Sequence, residues 1–138
     1  MKKNKVIIAG SRTITDYKLI ESVIKKIETH EKLLIIKILS GTAAGVDQLG
    51  ETYAAKYNIP VERFPANWKR DGKSAGFKRN EVMEKFASTA IIFWDGSSKG
   101  SQHMIDIMRK SGKPLYVYYN QNILKEYKNQ TTRITFEE

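Results

Sequence analysis

The sequence predicts an α/β fold, a three-layer sandwich built on a mainly parallel five-stranded sheet. Three observations carry this. Apolar runs of strand composition alternate with segments of helical period. The runs at residues 6–9, 33–39 and 89–94 are almost continuous in Val, Ile, Leu, Ala and Phe, as strands covered on both faces require. The turns leaving these runs are short and carry glycine and serine. With 138 residues, 41% of them hydrophobic, the chain has enough apolar material for one core.

The elements follow in order. Residues 6–9 form the first strand, which ends at Gly10. Asp16 or Thr15 caps a helix in which Leu19, Ile20, Val23, Ile24 and Ile27 recur at helical spacing. Residues 33–39, interrupted only by Lys37, form the second strand and end at Ser40 and Gly41. Val46, Leu49, Tyr53, Ala54 and Tyr57 share one face of the second helix, and Asn58 stops it. Residues 59–64 form a short third strand. Pro60 has no N–H to give a ladder, so it marks the start of that strand or an exposed position. Residues 65–73 read as loop. A helix over residues 74–86 offers Phe77, Val82, Met83 and Phe86 for packing. Residues 89–94 form the fourth strand, 95–100 a turn, and 101–111 a helix closed by Gly112, with Pro114 just beyond. Residues 115–119 form the fifth strand. Residues 1–119 thus make one domain, and residues 120–138 are an extension packed on it, with a short strand over 131–136. No repeat, low-complexity tract or linker interrupts the chain.

Composition narrows the function. The formal charge is +9, which favours anionic partners. One basic stretch stands out: Lys69, Arg70, Lys73, Lys78 and Arg79 against Asp71. The tail is balanced, with Lys125, Lys128 and Arg133 against Glu126, Glu137 and Glu138. There are no cysteines, so disulfides and thiolate metal sites are excluded. His30 and His103 are the only histidines, and no metal or cofactor is expected. The apolar run after the N-terminal lysines is too short for a signal peptide, and nothing approaches the roughly 20 apolar residues of a membrane span. A cytoplasmic protein without a membrane partner is expected.

In an open parallel sheet, ligands bind beyond the carboxyl ends of the strands. Three strand-to-helix turns occupy such positions: Gly10, Ser11 and Arg12; residues 40–47; and residues 95–101. Helix N-termini offer free amide donors to anions, and glycine permits close backbone approach. The candidate ligand-binding residues are therefore Gly10, Ser11 and Arg12 from the first turn, and Ser40, Gly41, Thr42, Gly45 and Asp47 from the second. Asp95, Gly96, Ser97, Ser98, Gly100 and Ser101 come from the third. Arg12 either holds a phosphate in a bidentate manner or is a solvent-facing loop arginine. Asp47 either complements its helix dipole or accepts from a ribose hydroxyl. Trp68 with Lys69, Arg70 and Lys73 forms either an aromatic and basic flap over a base or a loop anchor. Arg79 and Asn80 cap their helix or line the site. Trp94 is assigned to packing. There is no G-x-G-x-x-G after the first strand and no Walker A sequence. Residues 96–100 match G-x-S-x-G, but the only later histidine, His103, falls in the start of the same helix, which argues against a hydrolase triad.

These motifs together resemble the SLOG superfamily, in its YspA-type, cpYpsA-related branch, which is related to the DprA and LOG (Lonely Guy) proteins. Gly10, Ser11 and Arg12 resemble its opening, and Ser40, Gly41, Ala43, Gly45, Val46 and Asp47, with Ala54 downstream, its second motif. Trp68, Gly72, Ala75, Gly76, Arg79, Asn80 and Met83 resemble its middle. Phe93 to Gly96, Ser98, Gly100, Ser101 and His103 to Ile105 resemble its last motif. The resemblance spans roughly residues 5–119. It implies a Rossmann-like fold that binds a nucleotide-derived small molecule, ADP-ribose-like or cyclic, in a sensor or a phage and bacterial conflict system. It also implies an alternative, a LOG-like phosphoribohydrolase acting on nucleoside monophosphates. LOG enzymes carry a catalytic glutamate in a G-G-x-G-T-x-x-E motif, and here Met104 takes that place. Methionine is neither acid nor base, so the reading leans away from an enzyme. Nothing in the sequence brings Glu81 or Glu84 to the site instead. A DprA-like single-strand binder is the second alternative, but no series of stacking aromatics supports nucleic acid as partner. A homodimer or higher homo-oligomer is an expectation from related proteins, with Tyr116, Tyr118 and Tyr119 available for an edge contact.

Overall fold

The structure is a computed structural model that describes residues 2–135; Phe136, where the last expected strand ends, and Glu137 and Glu138 lie outside the described residues. The chain runs β1 (Lys2–Gly10), α1 (Tyr17–Glu31), β2 (Leu33–Ser40), α2 (Val46–Lys56), β3 (Val61–Arg63) and α3 (Trp68–Asp71). A 3₁₀ turn follows (Gly72–Ser74), then α4 (Ala75–Phe86), β4 (Thr89–Phe93), α5 (Lys99–Ser111), β5 (Leu115–Tyr119), β6 (Asn122–Tyr127) and β7 (Gln130–Ile134).

One sheet has the strand order β3-β2-β1-β4-β5-β6-β7. Its first five strands are parallel. β6 and β7 are antiparallel additions beside β5. The expected five-stranded sheet is therefore corrected to a mixed sheet of seven. β6 escapes sequence reading because Ile123 alone of its six residues is buried, too little for a core pattern. Its two connections are also unmarked by glycine. Each is a pair of left-handed residues, Asn120 with Gln121 and Lys128 with Asn129. Two such residues in succession make the tight turn whose twist suits an antiparallel hairpin.

The strands alternate their side chains between two cores. Val6, Ile8, Ile38, Ile91 and Phe93 face Ile20, Ile24 and Ile27 of α1 and Tyr53 of α2. Ile7, Leu39, Ala90 and Ile92 face Met83 of α4 and Met104, Ile105 and Met108 of α5. Helices thus cover both faces, and residues sequential in a strand go to opposite layers. Asp16 caps α1, its carboxylate accepting from the N–H groups of Lys18 and Leu19. Ser98 caps α5, and Gly112 ends it in the left-handed conformation.

Two further expectations change. Residues 65–73 are not all loop, because Asn67 caps the single turn of α3 through the N–H of Arg70. On α4, Met83 is buried, but Phe77, Val82 and Phe86 are exposed. Phe77 and Val82 are five residues apart, about 140° around a helix, so one face cannot bury both. Among the described residues, no helix is long and apolar enough to cross a membrane.

Candidate functional site

β1 and β4 are neighbours, yet their following helices pack on opposite faces of the sheet. The loops leaving them diverge, and a crevice opens beyond the strand ends. It holds a cavity of about 400 Å³. Four segments line it. The β1–α1 turn contributes Gly10, Arg12 and Thr13, and the β2–α2 turn contributes Ala43 and Asp47. Trp68, Lys73, Gly76, Phe77, Arg79 and Asn80 come from the stretch between β3 and the middle of α4. Asp95, Ser98, Gly100, Ser101 and Met104 come from the β4–α5 turn and α5.

The first two turns are packed backbone on backbone. A Cβ on Gly10 would lie 2.2 Å from the Phe93 carbonyl oxygen. Gly45 has φ +80°, and a Cβ there would lie 2.7 Å from Arg12 Cα. These glycines hold the protein to itself rather than making room for a ligand. Gly100 differs: a Cβ there would meet nothing within 4 Å, beside the open cavity.

Arg12 is exposed and, among the described residues, has no hydrogen-bond or ion-pair partner. Arg79 is more constrained. Its Nη1 donates to the Gly41 carbonyl and its Nε to Asn80 Oδ1 at 3.0 Å. Burial draws its proton affinity down, the Asp47 charge raises it, and the Arg12 charge lowers it. Asn80 is buried and joins the two helices, its Nδ2 donating to the Gly100 carbonyl and to His103 Nδ1, both at 3.2 Å. The His103 ring stacks on Phe77 with centroids 4.2 Å apart and planes 15° from parallel.

The two carboxylates of the cavity differ sharply. Asp47 is 5% exposed, and its Oδ2 accepts from Ala43 N–H at 3.1 Å. Burial pushes its pKa up to about 6, against the Ala43 N–H, the Arg79 charge and the Gly10 N–H, which favour the ionised form. Asp95 is exposed. The N–H groups of Ser97 and Ser98, then the Thr13 hydroxyl, hold its carboxyl well below the ordinary range. Its Oδ1 accepts from Ser97 N at 2.9 Å and Ser98 N at 2.8 Å, and its Oδ2 from Thr13 Oγ1 at 2.9 Å. Asp95 is thus the organiser of its turn. Asp95→Ala is expected to cost about 1–2 kcal/mol, as loss of a capping carboxylate does; urea unfolding at pH 7 measures it.

The structure gathers nine of the sequence-derived candidates around the cavity: Gly10, Arg12, Asp47, Arg79, Asn80, Asp95, Ser98, Gly100 and Ser101. Seven stand away from it. Ser11 is buried, with its hydroxyl accepting from Asp95 N–H. Ser40 donates to Glu51 at 2.6 Å and accepts from Thr42 N–H. Gly41 is taken by Arg79, Gly45 by the Arg12 backbone and Gly96 by the Tyr119 ring. The Ser97 hydroxyl bonds Asp95.

Of the basic flap, Trp68 and Lys73 line the cavity, while Arg70 turns to Asp71 at 2.9 Å. Trp94 packs against Tyr119 and donates to the Ser98 carbonyl. Sequence reading missed Ala9, Thr13, Ala43, Gly76 and Phe77. Thr13, one residue beyond Arg12, and Ala43, within the turn of residues 40–47, had a signal in their position, and Gly76 had one in the motif resemblance. Met104 is buried against the cavity, and neither Glu81 nor Glu84 lines it.

The model of the YspA, cpYpsA-related SLOG family matches residues 4–70. Over these residues the chain is similar to that family. The matched stretch runs from β1 to α3 and carries Arg12, Asp47 and Trp68. The remainder of the cavity, including Lys73, Phe77, Arg79 and the start of α5, is built by residues beyond it. No curated protein and no solved structure matches the chain.

Proposed function

We propose that the cavity binds a nucleotide or nucleotide-derived ligand, ADP-ribose-like or cyclic, and that the protein acts as a binding module or sensor. The observation that carries this reading is Arg12, a cation lining a cavity at the sheet switch point and, among the described residues, without a hydrogen-bond or ion-pair partner. A guanidinium so placed suits phosphate oxygens. The similarity of residues 4–70 to the SLOG family supports a nucleotide-related ligand. The crevice at the β1/β4 reversal is where a Rossmann-like domain takes such ligands. The volume of about 400 Å³ lies within the roughly 300–1,000 Å³ of small-molecule sites. The phosphoribohydrolase alternative gains no support, because Met104 faces the cavity where a catalytic glutamate is required.

Isothermal titration against a panel of AMP, ADP-ribose and cyclic nucleotides tests the proposal. At least one member is expected to bind. Arg12→Ala is expected to weaken that binding about 10- to 100-fold, the worth of a charge-assisted contact, with little change in unfolding midpoint because Arg12 makes no contact to lose. No binding by any member would overturn the reading.

A further inference from the structure

We infer that Trp68 and Phe77 form the base-binding end of this cavity, with the ligand's planar heterocycle stacked on the Trp68 ring. The inference rests on the nucleotide reading above and names which part of the ligand goes where.

Trp68 is 55% exposed. That excludes the alternative role of a core anchor, since neither α3 nor the 3₁₀ turn after it has a buried residue. A large indole left in water costs hydrophobic free energy that burial would recover. Here it stands at the rim of the one cavity that also carries Arg12. Phe77 lines the same cavity, is itself 43% exposed, and is held in place by its stack on His103. His103 is in turn fixed by Asn80. One aromatic ring is therefore rigidly backed, and the other is borne on a short segment with no core contact. Gly76 lies between them. A Cβ built there would be in ordinary contact, at 3.7 Å, with both the Trp68 ring and Arg79 Nη2. The indole and a guanidinium thus adjoin the same patch of backbone.

The cavity consequently combines two aromatic rings, Trp68 and Phe77, with cationic groups in Arg12, Lys73 and Arg79, and a guanidinium adjoins the indole. Such an arrangement suits a ligand that carries both a flat ring and anionic groups. Stacking tolerates any base, because every base presents a π-face. It does nothing for a sugar phosphate without a base.

The test compares Trp68→Ala and Trp68→Phe with the wild type, using whichever adenine nucleotide of the panel binds and ribose 5-phosphate as the probe without a base. Trp68→Ala is expected to weaken nucleotide binding about 10- to 100-fold, to leave ribose 5-phosphate binding unchanged, and to leave the unfolding midpoint in place. Trp68→Phe is expected to restore most of the affinity. A Trp94→Phe background leaves Trp68 as the sole indole, whose emission is expected to quench and shift on nucleotide addition. Nucleotide binding that is unchanged in Trp68→Ala, or weakened equally for ribose 5-phosphate, overturns this inference alone. Failure of every nucleotide to bind the wild type overturns it together with the reading on which it rests.

Discussion

Gly10→Ala is expected to destabilise the protein by about 3 kcal/mol or more, the upper range for forced overpacking. The added methyl would sit 2.2 Å from the Phe93 carbonyl oxygen and 2.9 Å from Val46 Cγ2. The first of these is backbone, so no rotamer change relieves it. Gly10 pairs with Phe93 in the β1/β4 ladder, and Ser11 N–H donates to that same carbonyl at 2.9 Å. Accommodation requires the two central strands to part where both cores meet the crevice. Urea unfolding gives the measurement, with Gly100→Ala as the control. Gly100 lies in the first turn of α5 with open space around it, so alanine there is expected to be neutral or stabilising by up to about 1 kcal/mol. Equal effects at the two positions would refute the distinction between a glycine required by the fold and one beside the cavity.

The second large effect concerns Asp47 and pH. Its folded pKa is about 6 against an ordinary value of 3.8, and burial is the main cause. Well below 3.8 the carboxyl is protonated in both folded and unfolded chains and imposes no penalty, and near pH 4 the penalty is still small. As pH rises towards and through 6, the unfolded chain ionises freely while the folded one must ionise a buried group. The stability lost over that window is about 3 kcal/mol. Asp47→Asn stays neutral and keeps an oxygen to accept from Ala43 N–H. The variant is therefore expected to match the wild type near pH 4 and to exceed it by about 2–3 kcal/mol at pH 7. Asp95, Asp71 and Glu31 have lowered values and act in the opposite sense, losing stability as pH falls. The comparison with the variant, rather than the raw pH profile, isolates Asp47. A difference that stays flat from pH 4 to 7 would mean that Gly10, Ala43 and Arg79 fully compensate the buried charge.

Much of the site was legible because its position follows from chain order. Arg12, Asp47 and Asp95 each follow a strand closely, so parallel strands bring them to one edge. What sequence could not separate was a serine or glycine facing a ligand from one facing the protein. Ser11 and Ser98 look alike in sequence, but Ser11 is sealed beneath Asp95 while Ser98 caps α5 at the cavity wall. Phe77 shows the opposite error. A phenylalanine in a helix suggests core, and the helix phase turned it to the cavity and onto His103.

The sequence by itself determined the five parallel strands, the four longer helices between them and the edge at which the three loops gather. Those depend on local periodicity and on turns that only certain residues make. The tertiary structure alone decided that the sheet has seven strands, since β6 is held by its ladder to β5 and β7 by its ladder to β6, and each buries only one isoleucine, Ile123 or Ile134. It also decided which polar groups of the three turns remain free. Asp95 spends its carboxylate on the amides of its own turn, whereas Arg12 is carried by the Gly45 contact to a place without a carboxylate partner. A charge's availability depends on neighbours distant in sequence, and only packing sets which neighbours those are.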